Sequence, residues 1–389
     1  MDFSLSEEQL LLRESVEKYV ADHGGVERHR QLSQSALGFS AEAWQSFAEL
    51  GWLALPFAED DGGLGGSVTD LMILSESLGK ALVREPYLHC AVTCGGLLSI
   101  AGSAEQKARW IPDLIEGQSQ WAFAFAEAGS GFDISAVDTR AAVVDGGYQL
   151  TGDKVTVLNG HAADFLIVTA QLEGELALFV VPGEQPGIQR KPFTAVDGSR
   201  GAALSFDGAR VDGDAMLGQP GQSLGYIDHA LHRAIVALGA ESLGAMQVLL
   251  ETTVAYTKTR EQFGQAIGKF QALQHRMADM YLKLEETRSL LYNAAILLEE
   301  GDADAPAACA ALKVKLAEAG RFISHESVQL HGGIGMTDEL IVGHLFKRLL
   351  LLAKLYGDDN YYLERYMELK AAGARSPYRE CLWPRQQIR

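Results

Sequence analysis

The sequence predicts a mainly helical fold interrupted by a central β domain, and three observations carry that reading. Apolar residues recur at helical spacing towards both ends of the chain, short strand-like runs separated by turn residues fill the middle, and the C-terminal helical stretches are longer than most globular helices. At 389 residues the chain has room for two or three packed units.

From Leu5 to about Ile115 the helical period runs through Leu10, Leu11, Val16 and Val20, then through Trp44, Phe47, Ala48 and Leu50. Ser4 and Ser6 ahead of Glu7 and Glu8 look like a helix cap, and Pro56 with Gly62, Gly63, Gly65 and Gly66 marks a long loop. From Trp121 the pattern changes to strand character: Ala122 to Phe125, Thr139 to Val144, Tyr148 to Thr151, Phe165 to Thr169, Ala177 to Val181 and Ala203 to Phe206. Asp145-Gly146-Gly147 between two of these runs is a hairpin signal. About ten residues per strand suggests a small barrel or sandwich. After Gly225 the helical period returns, and Tyr226 to Arg260, if continuous, would be about 50 Å long. The expected division is therefore 1–120 helical, 121–225 β, and 226–389 a helical bundle that also supplies an oligomer face. No internal repeat is visible.

Composition narrows the function. Hydrophobic residues at 47% and charged residues at 22% exclude disorder and fibre. A formal net charge of -18 repels phosphate backbones, which argues against a nucleic-acid partner. Cys90, Cys94, Cys309 and Cys381 are too few for a disulfide framework, no zinc cluster accompanies them, and a reducing cytoplasm fits best. The acidic start lacks the basic-then-apolar order of a signal peptide, and no run of about 20 apolar residues predicts a membrane span.

Two segments carry chemistry. Arg260, Gln262, Phe263, Gly264, Gly268, Gln271 and Gln274 place a guanidinium and an aromatic ring beside glycines that let the backbone turn, a pairing suited to a phosphate next to a planar ring. The alternative is an ordinary helix-helix turn with a surface Arg. Gln329, His331, Gly332, Gly333 and Gly335 lie in a glycine-rich turn that can expose amides to an acceptor, or serve only as a helix C-cap followed by a bend. His331 and His344 have no companions at metal spacing and read as core or surface histidines, so no metal site is expected.

Taken in order, Arg260-Glu-Gln-Phe-Gly264, Phe270-Gln271 and Gln329-Leu-His-Gly-Gly-Ile-Gly-Met-Thr337 resemble the acyl-CoA dehydrogenase family over nearly the whole chain. Gly239 to Met246, Phe270 to Arg276 and Gly343 to Arg348 most resemble its pimeloyl-CoA dehydrogenase small-subunit subgroup. The resemblance implies an FAD enzyme, usually tetrameric, that removes an α proton and a β hydride from an acyl-CoA and passes electrons to electron-transferring flavoprotein. It implies that Arg260, with Gln262, Phe263 and Gln271, holds the pyrophosphate of FAD in a neighbouring subunit. Gln329, Gly332 and Gly333 would lie along the adenosine half, and Phe125, Ala126 and Leu158 near the flavin. The family's Thr-Glu-Pro-Gly-Ala-Gly-Ser-Asp loop reads Ala126-Glu-Ala-Gly-Ser-Gly-Phe-Asp133 here, and its Trp-Ile-Thr-Asn-Gly reads Thr156-Val-Leu-Asn-Gly160. These departures favour a second possibility, a non-catalytic subunit completing the FAD site of a homologous chain in a heterotetramer.

The base is displaced as well. The family's Tyr-Glu-Gly-Thr segment corresponds to Tyr356-Gly357-Asp358-Asp359, and a second family location falls near Ala234, so neither aligned position holds a carboxylate. Glu241 is the only charged residue between Arg233 and Glu251. A carboxyl among apolar groups gains proton affinity, which suits a general base, and Glu241 is the expected catalytic residue. The alternative is a carboxylate paired with an Arg of a neighbouring helix. Asp358 and Asp359 are reserve candidates that also read as a helix cap.

Overall fold

The computed structural model describes residues 5–371, so Ser4 and Cys381 lie outside it. Helices come first: α1 Glu7–His23, α2 Val26–Gln34, α3 Ala41–Glu49, α4 Val68–Lys80, then a π-helical stretch Leu88–Cys94 leading into α5 Gly95–Ala101, and α6 Ala104–Ile115. The strands are β1 Trp121–Ala124, β2 Arg140–Val144, β3 Gly147–Leu158, β4 Phe165–Leu172, β5 Glu175–Pro182, β6 Ile188–Thr194, β7 Arg200–Asp212 and β8 Met216–Leu217. The 37-residue helix α7 spans Ser223–Thr259, and a small hairpin, β9 Glu261–Gln262 with β10 Gln265–Ala266, precedes α8 Gln271–Glu299. Helices α9 Ala305–His331, α10 Ile341–Lys354 and α11 Asp359–Ala371 complete the chain.

This order is the one the sequence predicts, with strands beginning at Trp121 and the long helix at Ser223. Ser6 caps α1 in a reciprocal capping box with Gln9. By packing, however, the described chain forms two compact units assembled from discontinuous segments. Among the described residues one comprises 5–29, 68–83 and 235–371; the other comprises Arg30–Ser67 and Arg84–Ala234.

In the second unit the strands form one open sheet in the order β6-β7-β3-β2-β4-β5-β8, with β1 also pairing in parallel to β4. The expected barrel does not close. Gly146 sits at φ +81 in the two-residue turn between β2 and β3, as the hairpin signal requires. Strand β6 has no counterpart among the predicted runs because Lys191 and Pro192 interrupt its apolar pattern. It pairs only with β7, and an edge strand tolerates both residues. Strand β3 runs seven residues beyond the expected Thr151 because Lys154, fully buried, is neutralised inside the fold. Its Nζ donates to Glu127 Oε1 at 2.6 Å and to Thr169 Oγ1 at 2.8 Å. Glu127 also accepts from the amides of Asp138 and Thr139 and from the Thr139 hydroxyl. Burial works against the charge on Glu127, but Lys154, Thr139 and the Asp138 amide outweigh it and hold the carboxyl below its ordinary range. The network pins the loop beginning at Ala126 to the sheet.

In the first unit α8, α10 and α11 pack on α9, and α4 packs on α1 and α8. Helices α4 and α7 approach until their backbones touch. A Cβ on Gly79 would lie 2.1 Å from the Glu241 carbonyl, and one on Gly244 would lie 2.1 Å from the Glu76 carbonyl. No larger residue fits either place without moving a helix. Helix α7 is apolar and long enough to cross a membrane by length and composition, a test the sequence reading had left unmet, but most of its apolar window is buried inside the protein.

Lys313 on α9 is fully buried and donates to the Leu352 and Ala353 carbonyls, two of the acceptors left open at the C-terminal end of α10. Burial lowers its pKa to about 7. The folded value lies below the free lysine value of about 10.4, so between about pH 7 and 10 the unfolded chain holds the proton more tightly. This group's contribution to stability therefore rises with pH across that window. The unfolding free energy of the parent, measured against Lys313→Met by urea titration, should gain about 2 kcal/mol from pH 7 to pH 9. A difference that stays flat would show that Lys313 keeps its proton on folding.

Candidate active site

Helix α7 ends at Thr259, and Arg260 still donates its amide to the Tyr256 carbonyl at 2.9 Å before the chain turns into β9 and β10. Phe263 and Gly264 form the turn at φ +53 and +80, and the Ile267 amide closes the loop on the Arg260 carbonyl at 2.8 Å. A left-handed conformation at an aromatic residue is unfavourable by about 1–2 kcal/mol, and the ring held there is 91% exposed. Arg260, Gln262 and Gln271 are exposed as well. At the other segment α9 ends at His331, and Gly332 follows at φ +64. A Cβ built on Gly332 or Gly333 meets nothing within 4 Å and both residues are exposed, while the Gly332 amide donates to the Gln329 and Val328 carbonyls at the end of α9.

The structure brings the two segments together. Tyr256, one turn before Arg260, stacks on His331 with ring centroids 4.5 Å apart. His331 is the core histidine expected: it is buried, Nδ1 lies 2.8 Å from the Ser327 carbonyl, and burial holds its pKa below the usual range. Its Nε2 and the Ser327 hydroxyl are buried without a hydrogen-bond partner. An exposed guanidinium, an exposed ring, two exposed glycines and unsatisfied buried polar atoms beside them fit a dinucleotide. In the second unit Phe125, Ala126 and Leu158 gather around β3. The Val155 amide donates to the Ala126 carbonyl at 2.9 Å, Phe125 stacks on Phe123 at 4.9 Å, and Leu158 is buried.

Glu241 is not the isolated carboxyl that the helix sequence suggests. Arg348 of α10 donates from Nε to Glu241 Oε1 at 2.6 Å, with both side chains largely buried. This is the alternative stated from the sequence, a carboxylate paired with an Arg of a neighbouring helix: Arg348 directly precedes the apolar run Leu349 to Leu352 and has to be neutralised when that run is buried. The reserve acids act as helix-start ligands. Asp358 accepts from the Tyr361 amide at 3.0 Å and from Lys354 at 2.9 Å; burial opposes its charge, but these contacts hold its carboxyl below the ordinary range. Arg321 does the same for Asp359 at 2.8 Å. Ala234 is fully buried. Tyr356 at φ +60 and Gly357 at φ +128 form a tight turn, and a Cβ on Gly357 would lie 2.6 Å from the Tyr361 ring and 2.7 Å from that of Tyr362. Among the described residues no group of His, Cys, Asp and Glu could hold a metal ion. Cys90, Cys94 and Cys309 are buried thiols outside any disulfide, and burial pushes Cys90 and Cys309 up to about 12.

Comparison with known proteins decides what this arrangement belongs to. Profiles of the acyl-CoA dehydrogenase N-terminal, middle and C-terminal domains match residues 6–118, 122–208 and 223–368. Mitochondrial isovaleryl-CoA dehydrogenase of Arabidopsis thaliana is 30% identical over 90% of this chain and 86% of its own length. The chain belongs to the acyl-CoA dehydrogenase family. As such it is an oxidoreductase acting on CH-CH bonds, of a family that uses FAD. Among solved structures, PigA with FAD and proline superimposes with a TM-score of 0.89 at 27% identity, covering 97% of this chain and all of that one. The ChsE4-ChsE5 complex from Mycobacterium tuberculosis gives a TM-score of 0.88 at 28% identity, covering 97% of this chain and all of the matched one.

Two outcomes follow for this acyl-CoA dehydrogenase fold. Because Arg260 is exposed, Arg260→Ala should leave the unfolding midpoint unchanged while weakening FAD binding roughly tenfold to a hundredfold, and Arg260→Lys should recover only part of it. Flavin titration of the apoprotein checks this; full retention would make the hairpin structural. Gly357→Glu should destabilise the chain by about 1–3 kcal/mol in thermal unfolding instead of supplying a base, because φ +128 and the two tyrosine rings oppose any side chain. An undiminished melting temperature would contradict the turn geometry.

Proposed function

We propose that this chain carries out FAD-dependent α,β-dehydrogenation of an acyl-CoA thioester to the 2-enoyl-CoA, with electrons passing to an electron-transferring flavoprotein. The observation that carries the reading is the single exposed group made by Arg260, Gln262, Phe263 and Gln271 with Gln329, Gly332 and Gly333, held together by the Tyr256-His331 stack. In this reading Arg260 pairs with the pyrophosphate of the FAD in a neighbouring subunit, Gln329, Gly332 and Gly333 lie along the adenosine half, and Phe125, Ala126 and Leu158 border the flavin of their own subunit. FAD, when bound, supplies the acceptor for the β hydride. Glu241 takes the α proton, its carboxylate held in place by the Arg348 contact. A dicarboxylic acyl chain of the pimeloyl type, a homotetramer and a cytoplasmic location complete the reading.

A second reading, a partner subunit that completes the FAD site of a homologous chain, is favoured by the same Arg348-Glu241 pair, which satisfies the leading candidate base structurally. Expression alone separates the two. A yellow, stable homotetramer whose flavin is bleached anaerobically by an acyl-CoA supports catalysis, whereas colourless protein that gains flavin only with a homologous chain supports the partner role. Glu241→Gln sharpens the result. As the base, it should slow flavin reduction by about 10²- to 10⁴-fold with FAD content intact. Loss of assembly instead, by about 3–5 kcal/mol of stability, would identify one half of a buried ion pair.

A further inference from the structure

Each half of the exposed group is built onto an aromatic ring, and the two rings meet. The Arg260 hairpin is rooted in the last turn of α7: the Arg260 amide donates to the Tyr256 carbonyl at 2.9 Å, and the Ile267 amide returns to the Arg260 carbonyl at 2.8 Å. Gly268 lies against the same turn, since a Cβ there would stand 3.0 Å from the carbonyl of Thr257, a fully buried residue. The tip is tied back by Phe270, whose ring meets that of Phe263 edge-on at 6.2 Å. The hairpin therefore follows the position of Tyr256.

The glycine-rich turn is built onto His331 in the same way. Gly335 is buried, and a Cβ on it would lie 2.9 Å from the Val328 carbonyl and 3.0 Å from the His331 Cβ, so the turn folds back over the histidine. The Thr337 amide and hydroxyl close it by donating to the Ile334 carbonyl at 3.1 and 2.9 Å. His331 is 3% exposed, and Nδ1 carries the ring proton because the Ser327 carbonyl 2.8 Å away can only accept. That leaves Nε2 as a buried lone pair with no donor. Half of the ring's polar capacity is unused, whereas its face is fully engaged: it stacks on Tyr256 with 28° between the planes.

We propose that His331 is a positioning residue for cofactor binding: its ring, stacked on Tyr256, sets the separation between the Arg260 guanidinium and the Gly332-Gly333 turn. The inference rests on the FAD reading above and assigns the alignment of the two segments to a buried residue that acts through its neighbours. A dinucleotide that spans both segments binds tightly only when their spacing is fixed beforehand, because ordering them on binding offsets part of the gain.

Apoprotein is titrated with FAD, and amide exchange over residues 260–267 is followed without flavin. His331→Leu should weaken FAD at least about fivefold and speed exchange of the Arg260 and Ile267 amides. His331→Phe keeps the flat ring and gives up only the Nδ1 bond, so it should stay within about twofold of the parent in both. In the Arg260→Ala background, His331→Leu should weaken FAD by less than about twofold, because the residue acts through the guanidinium it places. Additive losses in the double variant, or equal losses for His331→Leu and His331→Phe, would make His331 an ordinary core residue and overturn the proposal, as would unchanged FAD affinity in His331→Leu. In these cases the FAD reading stands. Parent apoprotein that takes up no flavin, alone or beside a homologous chain, overturns that reading and the proposal with it. Tyr256→Leu removes the stack from the other ring, with the same losses expected, and decides the matter if His331→Leu does not fold.

Discussion

The reciprocal contact of Gly79 and Gly244 sets the geometry of the helical unit. Two helices whose backbones touch have no freedom to slide, and the side chains flanking the contact are placed by it. Glu76 and Glu241 contribute the carbonyls against which the glycines pack. Each carries its carboxylate to the margin of the contact, and each is met there by a cation. Lys80 and Arg288 approach Glu76 at 3.2 and 3.6 Å, and Arg348 approaches Glu241 at 2.6 Å. The crossing thus puts acids where buried charge must be matched, and α8 and α10 supply the match.

A similar logic holds in the sheet. Lys154 and Glu127 are both buried, and neither would be tolerable alone. Together with Thr139, Thr169 and two amides they satisfy nearly all of their hydrogen-bonding capacity and tie the loop after Phe125 to β3. The loop has lost several residues of the family pattern, but Glu127 remains, and the ion pair gives a physical reason for its place there. Buried charge in this protein is consistently paired or bonded to carbonyls, as Lys313 shows at the end of α10.

Much of the fold was legible before any coordinates. Hydrophobic period gave the helix-sheet-helix order, the Asp145-Gly146-Gly147 turn gave one hairpin, and Arg260 with Phe263 and the Gly332-Gly333 turn marked two segments that lie exposed and together in the fold. These signals are local: each depends on residues within a turn or two. Strand β6 and the second half of β3 were not legible, because an edge position excuses Pro192 and a distant glutamate excuses Lys154. The open sheet was missed for a related reason, since strand count and spacing do not encode whether the last strand meets the first.

By itself the sequence determined the order of elements, the solvent-facing Arg260 hairpin and the absence of a carboxylate at positions 234 and 357, because these follow from residue identity and short-range periodicity. Only the tertiary structure decided what Glu241 does not have, namely isolation. Its neighbour Arg348 is 107 residues away in the chain, and α10 meets α7 only through packing. The same holds for the turn at Gly357, where two tyrosine rings occupy the space a side chain would need. Charge pairing and excluded volume act through space, and no local pattern in the chain records which distant side chain will fill it.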